Sequence, residues 1–388
     1  MRQYTEAGNE AQLHERKNAA ETQDNAGTGC ATELNMMSVK INHDYFTLNT
    51  RAERLRNFLA EGHVLAHCLD RAQWYLGPKL GVVFPFPTHV DIETSSLCQM
   101  RCPMCMTHLM TQPRGNMPYA LFTRLIDQCV AGGVYSVKLS WRGEPLLNPR
   151  IVDMVRYAKE RGIREVAFLT NGERLTEALA EALVGAGLDW LSISFDGYDK
   201  QTYEGIRRPA VFETTIAMVQ HLRAARERRG QRKPLIRVQS VFAAIEKDPQ
   251  RFRDLWRGIA DRINFIATED RASAVKQFKH DPEYICQSPW QRLCVMWDGR
   301  VPQCHSDYCE GNILGDANTQ TLREIWHGAP FTELRRLMRG RQRLRTAPCR
   351  LCCDGGVTEK DRITVDGREI EIVRYTDQAG EPPRDGMA

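Results

Sequence analysis

The sequence predicts an α/β fold with a parallel β-sheet, followed by a smaller cysteine-rich domain. β-rich runs alternate six times with helix-length amphipathic segments, and parallel strands need such crossovers. Seven cysteines then lie between residues 284 and 354, where this alternation has ended. Six βα units fit either an open doubly wound sheet or a curved partial barrel. Both arrangements gather ligands at the C-terminal ends of the strands.

The elements of the sheet can be read from the sequence in order. The β-rich runs span residues 89–94, 136–141, 165–170, 190–196, 235–242 and 263–267. Clear helical periods occupy 118–130 and 150–161 between strands, and 321–327 and 331–338 in the cysteine-rich region. Two hairpins are predicted, around Asp298-Gly299 and around Asp366-Gly367, because Asp-Gly favours two-residue turns.

Composition divides the chain into five parts. Residues 1–38 are polar and predict a disordered leader. Residues 39–84 predict a helical extension whose apolar face packs on the body. The body occupies 85–268, the cysteine-rich domain 269–356, and a hairpin with a loose tail 357–388. The apolar residues that predict the packed face of the extension are Leu55, Phe58, Leu59, Val64, Leu65 and Leu69.

Bulk properties exclude several classes of protein. The 53 basic and 49 acidic residues nearly balance over 388 residues, so charge does not call for a nucleic-acid partner. No apolar run approaches the roughly 20 residues that cross a bilayer. We therefore expect a cytoplasmic protein with no membrane partner. In a reducing compartment, 13 cysteines indicate metal ligands or reactive thiols rather than disulfides.

The first cysteine group follows the first predicted strand. Cys98, Cys102 and Cys105 have the spacing CxxxCxxC. Three thiolates fit a [4Fe-4S] cluster and leave one iron open for a small molecule. Structural zinc usually takes four protein ligands, so an isolated triplet argues against zinc.

This spacing on the loop after a first strand resembles the signature of the radical S-adenosylmethionine (SAM) superfamily, over residues 85–355. The resemblance implies a partial (β/α)6 barrel and a [4Fe-4S] cluster whose open iron binds the amino and carboxylate groups of SAM. It implies reductive cleavage of SAM to a 5'-deoxyadenosyl radical that abstracts hydrogen from a substrate. It also implies an external electron donor such as flavodoxin or ferredoxin. One departure is Met104, where the family usually has an aromatic residue.

Several positions at later strand ends resemble SAM-binding positions of the family. Gly143 and Glu144 belong to a segment similar to the GGEP motif, with Arg142 in place of its first glycine, and Glu144 would accept from the SAM ammonium group. A carboxylate at a strand end can also be a solvated surface charge. The remaining candidates are Asn171, Ser194, Asp196 and Arg207, with Arg208 as the rival of Arg207. Asn-Gly and Asp-Gly in these segments are also ordinary turn sequences.

The second cysteine group resembles a SPASM/twitch auxiliary-cluster domain. The resemblance implies that Cys286, Cys304, Cys349 and Cys352 hold one auxiliary cluster, most simply a second [4Fe-4S], with zinc as the alternative. No cysteine follows Cys353, as the longer version with two auxiliary clusters would require. Cys294 is the main rival of Cys286, although on an alternating strand it would be a small buried residue.

An auxiliary cluster beside a small-molecule substrate suits the oxidation of an alcohol carbon, because the substrate radical must lose a second electron. The family implies a sugar-like or aminocyclitol-like substrate. His305 and Asp307, next to Cys304, are the candidate bases for the hydroxyl proton. Three alternatives remain open: an epimerase that uses a cysteine as hydrogen donor, a peptide-modifying enzyme, and a non-catalytic zinc protein. The candidate hydrogen donors are Cys294, Cys309 and Cys353.

Overall fold

A computed structural model describes residues 45–267 and 279–376. The predicted leader at 1–38 lies outside the described residues, as do most of the predicted connector after the body and the end of the tail. Among the described residues, no helix combines the length and the apolar character needed to cross a bilayer. The described residues form one large sheet, two small two-stranded sheets and the helices that cover them.

The large sheet is mixed, and its parallel part carries the predicted alternation. Its strand order is β1-β7-β6-β5-β4-β3-β2-β8, with β1 antiparallel to β7 and all other pairs parallel. Its strands are β1 (Tyr45–Thr47), β2 (His89–Ile92), β3 (Ser136–Lys138), β4 (Glu165–Thr170), β5 (Trp190–Ser194), β6 (Leu235–Val241), β7 (Arg262–Ile266) and β8 (Arg292–Val295). The small sheets pair β9 (Arg300–Pro302) with β10 (Ile313–Asp316), and β11 (Thr358–Val365) with β12 (Arg368–Tyr375).

The helices of the described residues follow the predicted pattern. Those of the N-terminal extension and the body are α1 (Arg51–Glu61), α2 (Val64–Leu80), α3 (Tyr119–Ala131), α4 (Ile151–Glu160), α5 (Glu177–Gly185), α6 (Lys200–Ile206), α7 (Phe212–Arg228) and α8 (Pro249–Trp256). Those of the cysteine-rich domain are α9 (Ser288–Gln291), α10 (Leu322–His327), α11 (Ala329–Arg339) and α12 (Ala347–Arg350). Short 3-10 turns occupy Met106–Leu109, Pro145–Leu147, Phe242–Ala244, Arg343–Arg345 and Cys353–Gly355.

All six predicted β-rich runs are strands, β2 to β7, so the predicted α/β fold with a parallel sheet is confirmed. The hydrophobic core lies between these strands and their crossover helices, where Phe122, Phe168 and Trp256 are fully buried. Local signals set the ends of the helices. Thr176, for example, caps α5 by accepting a hydrogen bond from the backbone N–H of Leu179 at 3.2 Å.

The predicted packing face of the N-terminal extension is wrong, although its two helices form. Its apolar positions point to solvent: Leu55, Leu59, Leu65 and Leu69 are each more than half exposed. Polar contacts hold the helices on the body instead. The Asn57 amide donates to the Asp261 carbonyl at 2.6 Å, and the Gln291 amide donates to the Trp74 carbonyl at 3.0 Å. Helical spacing identifies an apolar face, but it does not show that the body covers that face.

Both predicted hairpin turns form, but the first is short. At Asp298-Gly299 the chain reverses, and the backbone N–H of Met296 donates across the turn to the Arg300 carbonyl at 2.9 Å. Beyond the turn the two strands pair elsewhere: β8 is parallel to β2, and β9 pairs with β10. The cysteine-rich domain therefore contributes one strand to the edge of the large sheet. At the second hairpin, Asp366 and Gly367 have φ values of 51° and 66° and connect β11 to β12. Positive φ at both residues is typical of a type I′ turn, whose twist matches that of the flanking strands.

Glu165, at the start of β4, predicts a pH dependence of stability. Burial, followed by the negative charges of Glu61 and Asp189, raises its pKa from 4.5 to about 7. The unfolded chain loses this proton first, so stability should fall as the pH rises from about 4.5 to about 7 and then stay low. Glu165→Gln should raise the free energy of unfolding at pH 8 by at most about 3 kcal/mol.

Chemical denaturation at pH 5 and pH 8 measures this effect. The exposed neighbour Glu160→Gln, at the end of α4, is the matched control and should change stability little at either pH. Equal stabilisation by Glu165→Gln at both pH values would contradict the assignment.

Candidate active site between two cysteine groups

The first cysteine group lines a cavity of about 310 Å³ at the C-terminal ends of the parallel strands. Cys98, Cys102 and Cys105 lie on the loop after β2, with Cys102 buried and the other two half-buried. Burial raises the pKa of Cys98 to about 11 and also raises that of Cys102, which the positive charge of Arg207 partly offsets. Ligation by iron would therefore have to release protons from buried thiols. Three thiols on one loop, facing one cavity, fit the predicted cluster.

Gly143 lets the segment after β3 lie against this cysteine loop. The backbone N–H of Glu144 donates to the Leu97 carbonyl at 2.7 Å. A Cβ atom at Gly143 would collide with the Ser95 carbonyl oxygen and would lie 2.6 Å from the Ser96 carbonyl carbon. Only glycine fits at this distance without moving the loop.

Glu144 is a buried carboxylate at the cavity wall, so the alternative of a solvated surface charge does not hold. It is 1% exposed. Its Oε1 accepts from the Thr170 hydroxyl at 2.7 Å, and its Oε2 accepts from the backbone N–H of Asn171 at 2.7 Å. Burial raises its pKa, and these donors partly offset the rise. The carboxylate is thus fixed in orientation toward the cavity.

The other candidate SAM-binding residues meet in the same cavity. Asn171, Ser194, Asp196 and Arg207 all line it. The Arg207 guanidinium donates to Asp196 at 2.6 Å, and the Asn171 amide lies 3.9 Å from the Cys98 sulfur. Burial lowers the pKa of Arg207, but the opposing negative charge of Asp196 leaves it above its ordinary value. Its rival Arg208 is not among the residues that line the cavity.

The second cysteine group surrounds a smaller cavity of about 20 Å³. Cys286, Cys304, Cys349 and Cys352 all line it. Cys294 does not, because it lies on β8 opposite Asp91, where it is buried. Burial raises the pKa of Cys286 to about 12. The structure therefore brings together the four predicted auxiliary ligands and places the rival of Cys286 elsewhere.

Within the described ranges, no three His, Cys, Asp or Glu side chains converge tightly enough to hold a single metal ion. A cubane does not need such convergence, because each thiolate bonds a different iron of the cluster. Four thiols around one small space, with the Gln303 amide donating to the Cys349 sulfur at 3.2 Å, fit the donor set of such a cluster.

The two candidate bases are in different positions. His305 lines both cavities, and its Nδ1 lies 3.4 Å from the Ser288 hydroxyl. Burial, followed by the positive charge of Arg292, lowers the pKa of His305 to about 3, so its ring is neutral at neutral pH. Asp307 lines neither cavity. Its carboxylate accepts from the backbone N–H groups of Gly311 at 2.7 Å and Asn312 at 3.0 Å, which makes it a loop-stabilising residue.

Sequence reasoning missed part of the cavity wall. Lys138, Trp141, Gln239 and Tyr308 line the larger cavity, and none stands in a recognisable motif. Arg142 has a buried guanidinium that contacts carboxylates on two other segments, those of Glu93 and Glu310. The sequence carried one signal for these contacts: Arg142 stands where the GGEP motif has its first glycine.

Comparison with known families agrees with this geometry. Residues 92–230 match the model of the Radical SAM superfamily, and residues 286–354 match the SPASM model, an iron-sulfur cluster-binding domain. The chain therefore belongs to the radical SAM superfamily and carries a C-terminal SPASM domain. A SAM-binding [4Fe-4S] cluster and an auxiliary iron-sulfur cluster follow from these two domains, as predicted.

Individual relatives are distant. The chain is 23% identical over 295 residues to a tungsten-containing aldehyde ferredoxin oxidoreductase cofactor-modifying protein of Pyrococcus furiosus, covering 64% of this chain and 83% of that protein. It is 33% identical over 141 residues to the AdoMet-dependent heme synthase of Methanosarcina barkeri, covering 36% of this chain and 40% of that protein. The solved structure of anSMEcpe with bound AdoMet shares the fold, with a TM-score of 0.51 and 14% identity over 64% of this chain and 83% of that one.

Gly143→Ala should displace the first cysteine loop. The added Cβ would collide with backbone at Ser95 and Ser96, which cannot rotate away as a side chain could. After anaerobic reconstitution, iron content should fall from about eight to about four per chain, as expected for the loss of one of two cubanes. Gly205→Ala in α6 is the control, since a Cβ added there would meet no atom within 4 Å. Full iron content in Gly143→Ala would contradict this role.

Cys286→Ala and Cys294→Ala form a matched pair that tests the auxiliary ligands. We expect Cys286→Ala to retain only about four irons per chain and Cys294→Ala to retain about eight. Iron analysis and the iron-sulfur charge-transfer absorbance measure the difference. The reverse result would assign Cys294 as the ligand.

Proposed function

We propose that this radical SAM enzyme is an oxidoreductase that dehydrogenates an alcohol carbon of a small sugar-like or aminocyclitol-like substrate, with the auxiliary cluster as electron acceptor. The supporting observation is that His305 lines both cavities, so a substrate in the larger cavity would lie beside the auxiliary site. Four cysteines around the smaller cavity would occupy all four irons of a cubane. Such a site suits electron transfer better than binding of substrate to iron.

The first group of residues would bind and orient SAM. Cys98, Cys102 and Cys105 would hold the first cluster. Glu144, fixed by Thr170 and Asn171, would accept from the ammonium group, and Arg207, held by Asp196, would pair with the carboxylate. Asn171 and Ser194 would contact the ribose side of the ligand.

When bound, the SAM-binding cluster would supply the electron that cleaves SAM, and the auxiliary cluster would accept the second electron of the substrate. An external donor such as flavodoxin or ferredoxin would supply the electron for SAM cleavage. In the overall oxidation, the carbinol carbon would lose a hydrogen atom, which the adenosyl group of SAM would carry away as 5'-deoxyadenosine. As the second electron leaves, the hydroxyl group becomes strongly acidic, so its proton would pass to the neutral imidazole of His305 even though burial lowers the pKa of that ring, and the carbon–oxygen bond would become a carbonyl. Met100, Met104 and Trp141 in the cavity wall would limit access of water to the radical.

One observation favours dehydrogenation over epimerisation. An epimerase needs a hydrogen-atom donor that faces the substrate radical. Of the candidate thiols, Cys294 is buried on β8, and neither Cys309 nor Cys353 is among the residues that line the larger cavity in the described ranges.

The test is anaerobic turnover of the reconstituted enzyme with a panel of carbon-deuterated cyclitols and sugars. Deuterium should appear in 5'-deoxyadenosine, with one ketone formed per 5'-deoxyadenosine. His305→Gln should still release 5'-deoxyadenosine but lower ketone formation by about 100-fold or more, the usual contribution of a general base. His327→Gln, at the end of α10, is the control and should behave as the wild type.

Two results would replace the proposal. Solvent deuterium in recovered substrate without ketone would indicate an epimerase. Turnover with peptides alone would indicate a peptide-modifying enzyme.

A further inference from the structure

The two residues before Gly143 connect the two cysteine groups. Trp141 and Arg142, which we call the bridge segment, follow β3 and contact the loop at residues 304–312 that begins with the auxiliary ligand Cys304. Neither residue is needed to explain SAM binding.

Arg142 makes the central contact. Its guanidinium donates two hydrogen bonds to the carboxylate of Glu93, at 2.7 and 2.8 Å, just beyond β2. Its third nitrogen donates to the Glu310 carboxylate at 2.8 Å and to the Tyr308 carbonyl at 3.2 Å. The side chains of Arg142, Glu93 and Glu310 are 1%, 0% and 3% exposed. One buried cation therefore holds the end of a body strand and the auxiliary loop together.

Trp141 adds a second contact with the same loop. Its indole N–H donates to the His305 carbonyl at 2.6 Å, one residue from Cys304. Its ring stacks with Tyr308 at 6.0 Å between centroids, and the Arg142 guanidinium lies 4.3 Å from its centroid. These contacts fix the backbone that carries both His305 and the auxiliary ligand.

The bridge segment is also attached to the first cysteine group. The Thr107 hydroxyl donates to the Arg142 carbonyl at 3.2 Å, and the Cys105 sulfur lies 3.1 Å from that hydroxyl oxygen. Gly143 and Glu144, the next two residues, lie against the loop of Cys98. A short hydrogen-bonded path thus runs from Cys105 through Thr107 and the bridge segment to the residue after Cys304.

We propose that Arg142, supported by Trp141, is a positioning residue that sets the spacing and orientation of the two clusters. One consequence of this proposal rests on the proposed function. Loosening the bridge segment would uncouple SAM cleavage from oxidation of the substrate. Arginine is required because its planar fork contacts two carboxylates at once. Lysine carries its three donors on a single nitrogen, so it cannot reproduce the bidentate contact with Glu93 together with the contact to Glu310.

The test compares Arg142→Lys with the wild type and with Arg253→Lys. Arg253 is a suitable control because it is also a buried arginine between two carboxylates, Glu53 and Asp366, and lines neither cavity. In Arg142→Lys, iron content should stay at about eight per chain. Amide hydrogen exchange across residues 304–312 should rise by about tenfold or more, because Glu310 loses its buried partner and keeps only the partly exposed Arg300, at 2.7 Å.

A spectroscopic readout separates positioning from general stability. The magnetic interaction between the two reduced clusters, measured by the dipolar broadening and power saturation of the electron paramagnetic resonance signals, should change in Arg142→Lys and not in Arg253→Lys. Glu310→Gln, which leaves the Arg142–Glu93 pair in place, should change it in the same direction. This second variant keeps the test decisive if Arg142→Lys fails to fold.

The outcomes distinguish this inference from the proposed function. Unchanged exchange and unchanged magnetic interaction in Glu310→Gln, or in an iron-replete Arg142→Lys, would overturn the positioning role. Changed interaction together with a lower ratio of ketone to 5'-deoxyadenosine would support both proposals. Changed interaction in an enzyme that oxidises no alcohol would support the positioning role and overturn the proposed function.

Discussion

The arrangement of the site depends on one buried cation. The guanidinium of Arg142 has lost its contact with water, and its charge is balanced by carboxylates from two separate parts of the chain. Breaking such a pair leaves an uncompensated buried charge, which is costly, so the two parts are held in one arrangement. The segment that carries this residue also carries Gly143 and Glu144. A few consecutive residues thus shape the larger cavity and hold the loop after Cys304 beside it.

Much of the fold could be predicted from the sequence because its signals are local. Strands such as β4 and helices such as α3 are visible through their periodicity, and the cysteine spacing after β2 indicates its chemistry. The four candidate auxiliary cysteines came from the resemblance of that region to a known domain, which supplied their order along the chain. The structure then placed all four around one space, although periodicity alone could not separate Cys286 from Cys294.

The remaining features depend on contacts between distant residues, which no local pattern encodes. Strand β8 pairs with β2, which lies far back along the chain, so its partner could not be read from the adjacent Asp-Gly turn. The partners of Arg142 lie 49 and 168 residues away. Asp307 shows that neighbours in sequence need not share a site. It was a candidate base because it lies close to Cys304 in the sequence. Its carboxylate accepts hydrogen bonds from backbone amides of its own loop and lines neither cavity. The leucines on α1 and α2 are exposed because no other part of the described chain covers them. The spacing of apolar residues along a helix cannot show this.

The pairing of β8 with β2 determines where the body and the auxiliary domain can be separated in a chimera. A strand that belongs by sequence to the auxiliary domain completes the backbone hydrogen bonding of β2, the strand that leads into the loop of Cys98, Cys102 and Cys105. The auxiliary domain is therefore not a detachable module. A chimera that exchanges SPASM domains between relatives would need its junction after β8, so that the recipient body keeps its own edge strand and the incoming piece begins at the turn before β9.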